Sequence, residues 1–229
     1  PMTGLGHPLL GNLVPCGSYG MPSTKKLQQG VESAMVQYPN APAILMRQHG
    51  ALCMAETFEQ AFEIAQSLEE ASKEIFDRAV QIPKGIQADA GSLLKELHNA
   101  CPALHFSVET DDAVQAVAAW GKTLYPHLDD LAQIAGVQIR CADSNPASII
   151  KALKHSNAAL VPGVGAVCCA GDPEDLGAIA AIMRKSCMAA LYAKHCGAAP
   201  LGLLDRWIMR LVYTLKYSKK KCKNCRNHN

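Results

Sequence analysis

Two short apolar runs meet at a polar corner near the end of the first fifth of the chain. Residues 43–47 and 51–55 are mostly aliphatic, and Gln48-His49-Gly50 joins them. Their length suits strands, and a glycine at the junction allows close backbone approach. The segment before them, residues 23–37, has helical spacing. Leu27, Val31, Ala34 and Met35 fall on one face, and Ser23 or Thr24 can cap its start. Pro39-Asn40-Ala41-Pro42 stops it. Residues 1–21 are rich in glycine and proline with little period, and read as loop and short strand. After the corner, Thr57-Phe58-Glu59-Gln60 has the spacing of a capping box. The helix behind it carries Phe58, Ala61, Phe62, Ala65, Leu68, Ile75 and Phe76 at helical intervals and ends before Pro83.

The second half repeats this order. Residues 89–100 read as a helix with Leu93, Leu94 and Leu97 inward, residues 103–108 as a strand, and residues 112–120 as an Ala/Val-rich helix. A short helix at 148–154 precedes a strand pair across 158–170. Asp172-Pro173 then supplies an N-cap and a proline at the first helical position. That helix runs to about Lys194, with Gly197 as its stop. Leu204, Trp207, Ile208, Leu211 and Leu215 mark a last amphipathic helix.

The two strand pairs echo one another at a fixed offset of 115 residues. Leu45, Gly50, Ala51, Cys53, Ala55, Glu59, Ile64 and Ala65 recur as Leu160, Gly165, Ala166, Cys168, Ala170, Glu174, Ile179 and Ala180. His49 does not recur, because Val164 stands in its place. A repeat that keeps its packing residues and drops its one metal-capable side chain implies one working unit and one degenerate copy.

At 229 residues and 49% hydrophobic, the chain is long enough for one large or two small domains with a real core. The formal net charge of +2 does not point to nucleic acid. No apolar run reaches the roughly 18 residues of a membrane span, and no signal peptide is expected. The ten cysteines are scattered through apolar contexts such as Val167-Cys168-Cys169. That usage fits a reducing, cytoplasmic setting better than a secreted disulfide framework. The chain opens on Pro1 without an initiator Met, which suggests a fragment or a processed chain.

Asn12-Leu13-Val14-Pro15-Cys16, Tyr19-Gly20, the helix from 23, Arg47-Gln48-His49-Gly50 and the Thr57 helix together resemble the class II aldolase/adducin family. Its members include the L-fuculose-phosphate and L-rhamnulose-phosphate aldolases and pentulose-phosphate 4-epimerases. The resemblance implies an α/β fold of two such lobes related by the repeat, the first incomplete at its N-terminus. It divides the chain into residues 1–83, the C-terminal part of one domain; 84–199, a degenerate second domain; 200–218, an amphipathic helix; and 219–229, a basic tail. It further implies a zinc ion held by a His-x-His pair and by the histidine of the His-Gly motif, here His49. The zinc would act as a Lewis acid in retro-aldol cleavage of a sugar phosphate. The pair and the family's catalytic Glu are expected upstream of Pro1, so the chain alone is expected to be inactive, working with an N-terminal partner segment or as a homo-oligomer. In the second copy the ligand positions fall on Val108, Thr110 and Val164, with His105 out of register and Asp89 near the catalytic Glu. A non-catalytic, adducin-like binding module and an epimerase on the same scaffold are the alternatives.

Other features have plainer readings. Alone, His49 reads as a buried histidine at a strand turn. Tyr19 and Tyr38 read as packing or turn residues. Gly163-Val164-Gly165 lacks the further glycine and lysine of a phosphate loop. Cys222, Cys225 and His228 could hold a metal but lack a second pair, so the basic tail reads as solvated and mobile.

Overall fold

The computed structural model describes residues 2–85 and 90–216. Asp89 and the Cys222–Cys225–His228 tail lie outside the described residues. The fold is mixed α/β, in two compact units, Pro1–Gln81 and Ile82–Asn229.

In the first unit, β1 (Met2–His7) and β2 (Gly11–Val14) form an antiparallel hairpin. The sequence reads there as loop because Gly4, Gly6 and Gly11 all take positive φ and the alternation is broken. A three-stranded sheet follows, in the order β3 (Cys16–Gly17), β4 (Ala43–Met46), β5 (Gly50–Cys53). β3 runs parallel to β4, and β5 returns antiparallel. Helix α1 (Lys25–Gln37) crosses between β3 and β4, and α2 (Phe58–Ala79) follows β5. Both helices start at threonine caps. The Thr24 hydroxyl accepts from the Leu27 amide, and that of Thr57 accepts from the Gln60 amide. Leu10, Val14, Ala43, Ile64, Leu68 and Ala71 form the core.

Two helices expose apolar residues that helical spacing placed on their stripes. On α1 the buried residues are Gly30 and Ala34, whereas Met35 is 39% exposed. On α2, Phe58 and Phe62 are 79% and 62% exposed, with their rings stacked on one another. They belong to the first turns of α2, which follow directly on β5, a strand that is itself mostly exposed.

The second unit is built on a four-stranded sheet in the order β6 (His105–Glu109), β9 (Gly165–Ala170), β8 (Ala158–Val161), β7 (Arg140–Cys141). Every residue of β8 and β9 is buried. Alternation shows why both runs are apolar throughout. Ala158, Leu160, Ala166, Cys168 and Ala170 join one core with Val114, Val117, Leu131, Ile179 and Met183. Ala159, Val161 and Val167 join another with Leu93, Leu97 and Ile149. The first core is covered by α4 (Asp112–Ala118) and α6 (Pro173–Cys196), the second by α3 (Gly91–Ala100) and α5 (Pro146–Leu153). Such two-sided burial makes a strand a continuous hydrophobic run.

α6 begins at Asp172, whose carboxylate accepts from the Asp175 amide, and ends at Gly197 in the left-handed region. By length and composition it could cross a membrane. Here Ile179, Met183, Cys187 and Ala190 bury one side of it as the central core helix. α7 (Leu203–Lys216) packs through Met209 and Arg206, while its Leu204, Trp207, Leu211 and Leu215 stripe stays exposed. It lies on a π-helical turn, Leu131–Ala135, whose wide winding leaves carbonyls for another donor. Arg210 fills that role, donating from Nη1 to the Gln133 and Ile134 carbonyls, each at 2.7 Å.

Candidate metal-ligand site at the Gln48–His49 turn

The β4–β5 connection is a tight turn closed by the His49 amide donating to the Met46 carbonyl at 2.9 Å. Gln48, its third residue, has φ of 67°. That is the left-handed position of a type II turn, which ordinarily takes glycine. The β8–β9 turn has the same closure, Val164 amide to Val161 carbonyl at 3.0 Å. There Gly163 holds the left-handed position at 77°, after Pro162. Gln48 therefore carries strain that Gly163 avoids, and such strain collects at functional turns. Gln48→Gly is expected to stabilise the first unit by about 1 kcal/mol, and Gly163→Gln to destabilise the second by about 1–2 kcal/mol. Urea midpoints of the two variants test this; shifts of the same sign would refute the backbone-strain account.

The turn presents His49 beside the segment that leads into α1. Its Nε2 lies 2.7 Å from the Gly20 carbonyl oxygen. A carbonyl only accepts, so in this arrangement Nε2 carries the hydrogen. The Tyr19 ring stacks parallel to the imidazole, 5.9 Å between centroids and 3° between planes. His49 is half-buried and lies outside the hydrophobic clusters. Through Nδ1 it could bind a metal with the Gly20 bond fixing the ring, the usual arrangement of a ligating histidine. Binding through Nε2 would require that bond to break.

Three glycines create this arrangement. A Cβ on Gly20 would come within 2.4 Å of the Leu27 amide nitrogen. One on Gly30 would meet the Ser18 carbonyl oxygen at 2.7 Å, and one on Gly17 the Gly30 carbonyl oxygen at 3.0 Å. The loop thus lies directly against the backbone of α1, and the Gly20 carbonyl is aimed by that contact. Tyr19 and Gly20 are 29 and more residues before His49 in sequence, and nothing in spacing pairs them with it.

The other predicted positions do not gather. Val164 is buried in the second unit's core, and Val108 packs against the same cluster. Thr110 gives its carbonyl to Gln115 Nε2 at 2.9 Å. His105 is exposed at the start of β6, and burial lowers the pKa of His127. Among the described residues no three His, Cys, Asp or Glu side chains come together as a metal site. A single imidazole does not fit a zinc ion, which takes three or four protein ligands.

The segment that carries His49 has recognisable relatives. Residues 2–75 match the family model of the Class II Aldolase and Adducin N-terminal domain. This part of the chain is similar to that family, and the matched segment takes in Tyr19, Gly20 and His49 together. Among solved structures, an L-fuculose 1-phosphate aldolase aligns at 17% identity and a TM-score of 0.44, over 48% of this chain and 55% of that one. The chain thus spans about half the length of that enzyme, and so low a score does not establish a common fold.

Proposed function

We propose that the chain is part of a class II aldolase-type protein that cleaves a carbon–carbon bond of a sugar phosphate, and that His49 is its contribution to a zinc site. The observation that carries this reading is the family match over residues 2–75, with His49 inside it on an ordered turn. The remaining ligands would come from a further polypeptide segment bearing a His-x-His pair, a pattern that these 229 residues do not contain. The chain alone would then be inactive on sugar phosphates. A reducing cytoplasm would suit the cysteines, which are all free among the described residues.

The second unit is, in the same reading, a diverged copy. Its strand registers support this. Ala43↔Cys53, Leu45↔Ala51 and Met46↔Gly50 correspond at the same offset of 115 to Ala158↔Cys168, Leu160↔Ala166 and Val161↔Gly165. Each pair of strands has a parallel neighbour, Cys16↔Leu45 in one and Cys141↔Leu160 in the other. The helices that follow bury Ile64, Leu68 and Ala71 in the first unit and Ile179, Met183 and Ser186 in the second. In this reading the missing ligands have an expected location. β9 has β6 along its outer edge, whereas no described strand lies along the outer edge of β5. A strand carrying the His-x-His pair would run there, next to the turn that holds His49.

The test is reconstitution. The chain is co-expressed with a segment bearing the pair, and zinc content and aldol cleavage of L-fuculose 1-phosphate are measured. The complex should bind zinc, and His49→Ala should weaken it by more than about a hundredfold, since loss even of an outer partner costs up to that much. Unchanged zinc affinity in His49→Ala would remove His49 from the site. Chelator-sensitive cleavage by the chain alone would overturn its dependence on a partner.

A further inference from the structure

A pocket on the second unit has the chemistry of an anion site and no part in the reading above. It lies between β7 and α7, has a volume of about 360 Å³, and is lined by Gln138, Arg140, His155, Trp207 and Arg210, with Val137 at its base. Among the described residues no carboxylate lines it. Its size is within the range of small-molecule sites, roughly 300–1,000 Å³.

Two arginines set its electrostatics. Arg210 is partly buried, and among the described residues its hydrogen-bond acceptors are all neutral oxygens. Nη1 donates to the Gln133 and Ile134 carbonyls, and Nη2 to Asn157 Oδ1 at 3.1 Å. These three bonds leave two of the guanidinium's five N–H donors, Nε and one on Nη2, for a ligand. Burying a cation among neutral groups costs free energy that a bound anion would offset. Desolvation lowers the pKa of Arg210, in accord with that cost. Arg140, on the edge strand β7, joins no ion pair among the described residues. A guanidinium stays charged at any physiological pH and forks onto phosphate oxygens in bidentate fashion. Among the described residues, neither arginine is paired with a carboxylate.

Trp207 supplies the second half of the site. It is 56% exposed on the same face of α7 as Arg210, one turn before it. An indole facing an open pocket beside two arginines offers a stacking surface for a flat ring whose anionic group the arginines hold. His155 and Gln138 add groups able to bond to ring or sugar heteroatoms.

We propose that this pocket binds a nucleoside monophosphate, its phosphate on Arg140 and Arg210 and its base on Trp207. The probe is AMP, titrated into the full chain at low salt with tryptophan fluorescence and calorimetry as readouts. Saturable binding with quenching of Trp207 is expected. Adenosine and ribose 5-phosphate should each bind at least about tenfold more weakly, because each lacks one of the two contacts. Arg140→Gln should weaken AMP by tenfold or more while leaving the urea midpoint unchanged, since Arg140 anchors no other element. Trp207→Leu should weaken AMP but leave ribose 5-phosphate unaffected. The proposal is overturned if AMP shows no saturable binding at millimolar concentration, if adenosine matches AMP, if inorganic phosphate matches AMP, or if Arg140→Gln leaves affinity intact.

Discussion

Gly165→Ala is expected to unfold the second unit under conditions in which the unaltered chain is stable. Gly165 has φ of 133°, outside the range that side chains tolerate. A Cβ there would lie 2.2 Å from the carbonyl oxygen of Glu109 on the adjoining strand β6. Relief would require β6 and β9 to part, yet the two are paired along their length from His105↔Ala170 to Glu109↔Ala166. Backbone strain alone costs about 1–3 kcal/mol, and the overlap takes the total beyond about 4 kcal/mol, the range reserved for gross disruption. Both tryptophans, Trp120 and Trp207, belong to this unit, so their fluorescence in urea follows its unfolding. The matching change in the first unit is the control. A Cβ on Gly50 meets nothing within 4 Å, and Gly50→Ala should change stability by less than about 1 kcal/mol. A mild effect of Gly165→Ala would mean that β6 does not lie against β9 as described.

Gly20→Ala should be the most damaging single change near His49. The new methyl would overlap the backbone of Leu27 at the first turn of α1, at 2.4 Å from its nitrogen and 2.7 Å from its Cα. These atoms are fixed in the helix, where the Thr24 cap holds the Leu27 amide, and cannot swing aside as a side-chain end can. The loop must therefore lift, taking the Gly20 carbonyl from His49 Nε2. A loss of about 3–5 kcal/mol from the first unit is expected, in the range of strongly disruptive core changes. Nitrogen NMR of the imidazole reports the second effect, since loss of the acceptor frees the tautomer that the carbonyl selects. An unchanged imidazole spectrum in a folded Gly20→Ala chain would show that the carbonyl does not orient His49.

What the sequence made legible follows from which interactions are local. Thr24, Thr57 and Asp172-Pro173 announce their helices because a cap and its amide are three residues apart, and Gly197 closes α6 for an equally local reason. The paired strands around His49 and Val164 were legible because each pair turns on itself within a few residues. The candidate site was only half legible. His49 stood out, but the Gly20 carbonyl and the Tyr19 ring reach it across the fold, and only the packing of glycines on α1 brings them there. The exposure of Phe58 and Phe62 was hidden for a related reason. Helical period reveals that a stripe exists and is silent about whether anything covers it. The same holds for α7, which docks through Arg210 onto a π-helical turn and through Arg206 onto Val137 while its leucines face outward. The β1–β2 hairpin escaped because its glycines replace the alternation that marks a strand.

The edge of β5, along which no described strand lies, has a consequence for what stability means in this protein. A unit completed by a separate strand gains RT ln(1 + [L]/Kd) from it, about 2.7 kcal/mol when that strand is present at a hundred times its dissociation constant. If a separate segment supplies that strand, the melting point of the first unit becomes a function of concentration, rising with the supply of the segment and falling on dilution. The second unit carries β6 in its own chain and has no such dependence. Were that strand supplied in trans, the first unit's stability would be set by mass action and the second unit's by covalent connection.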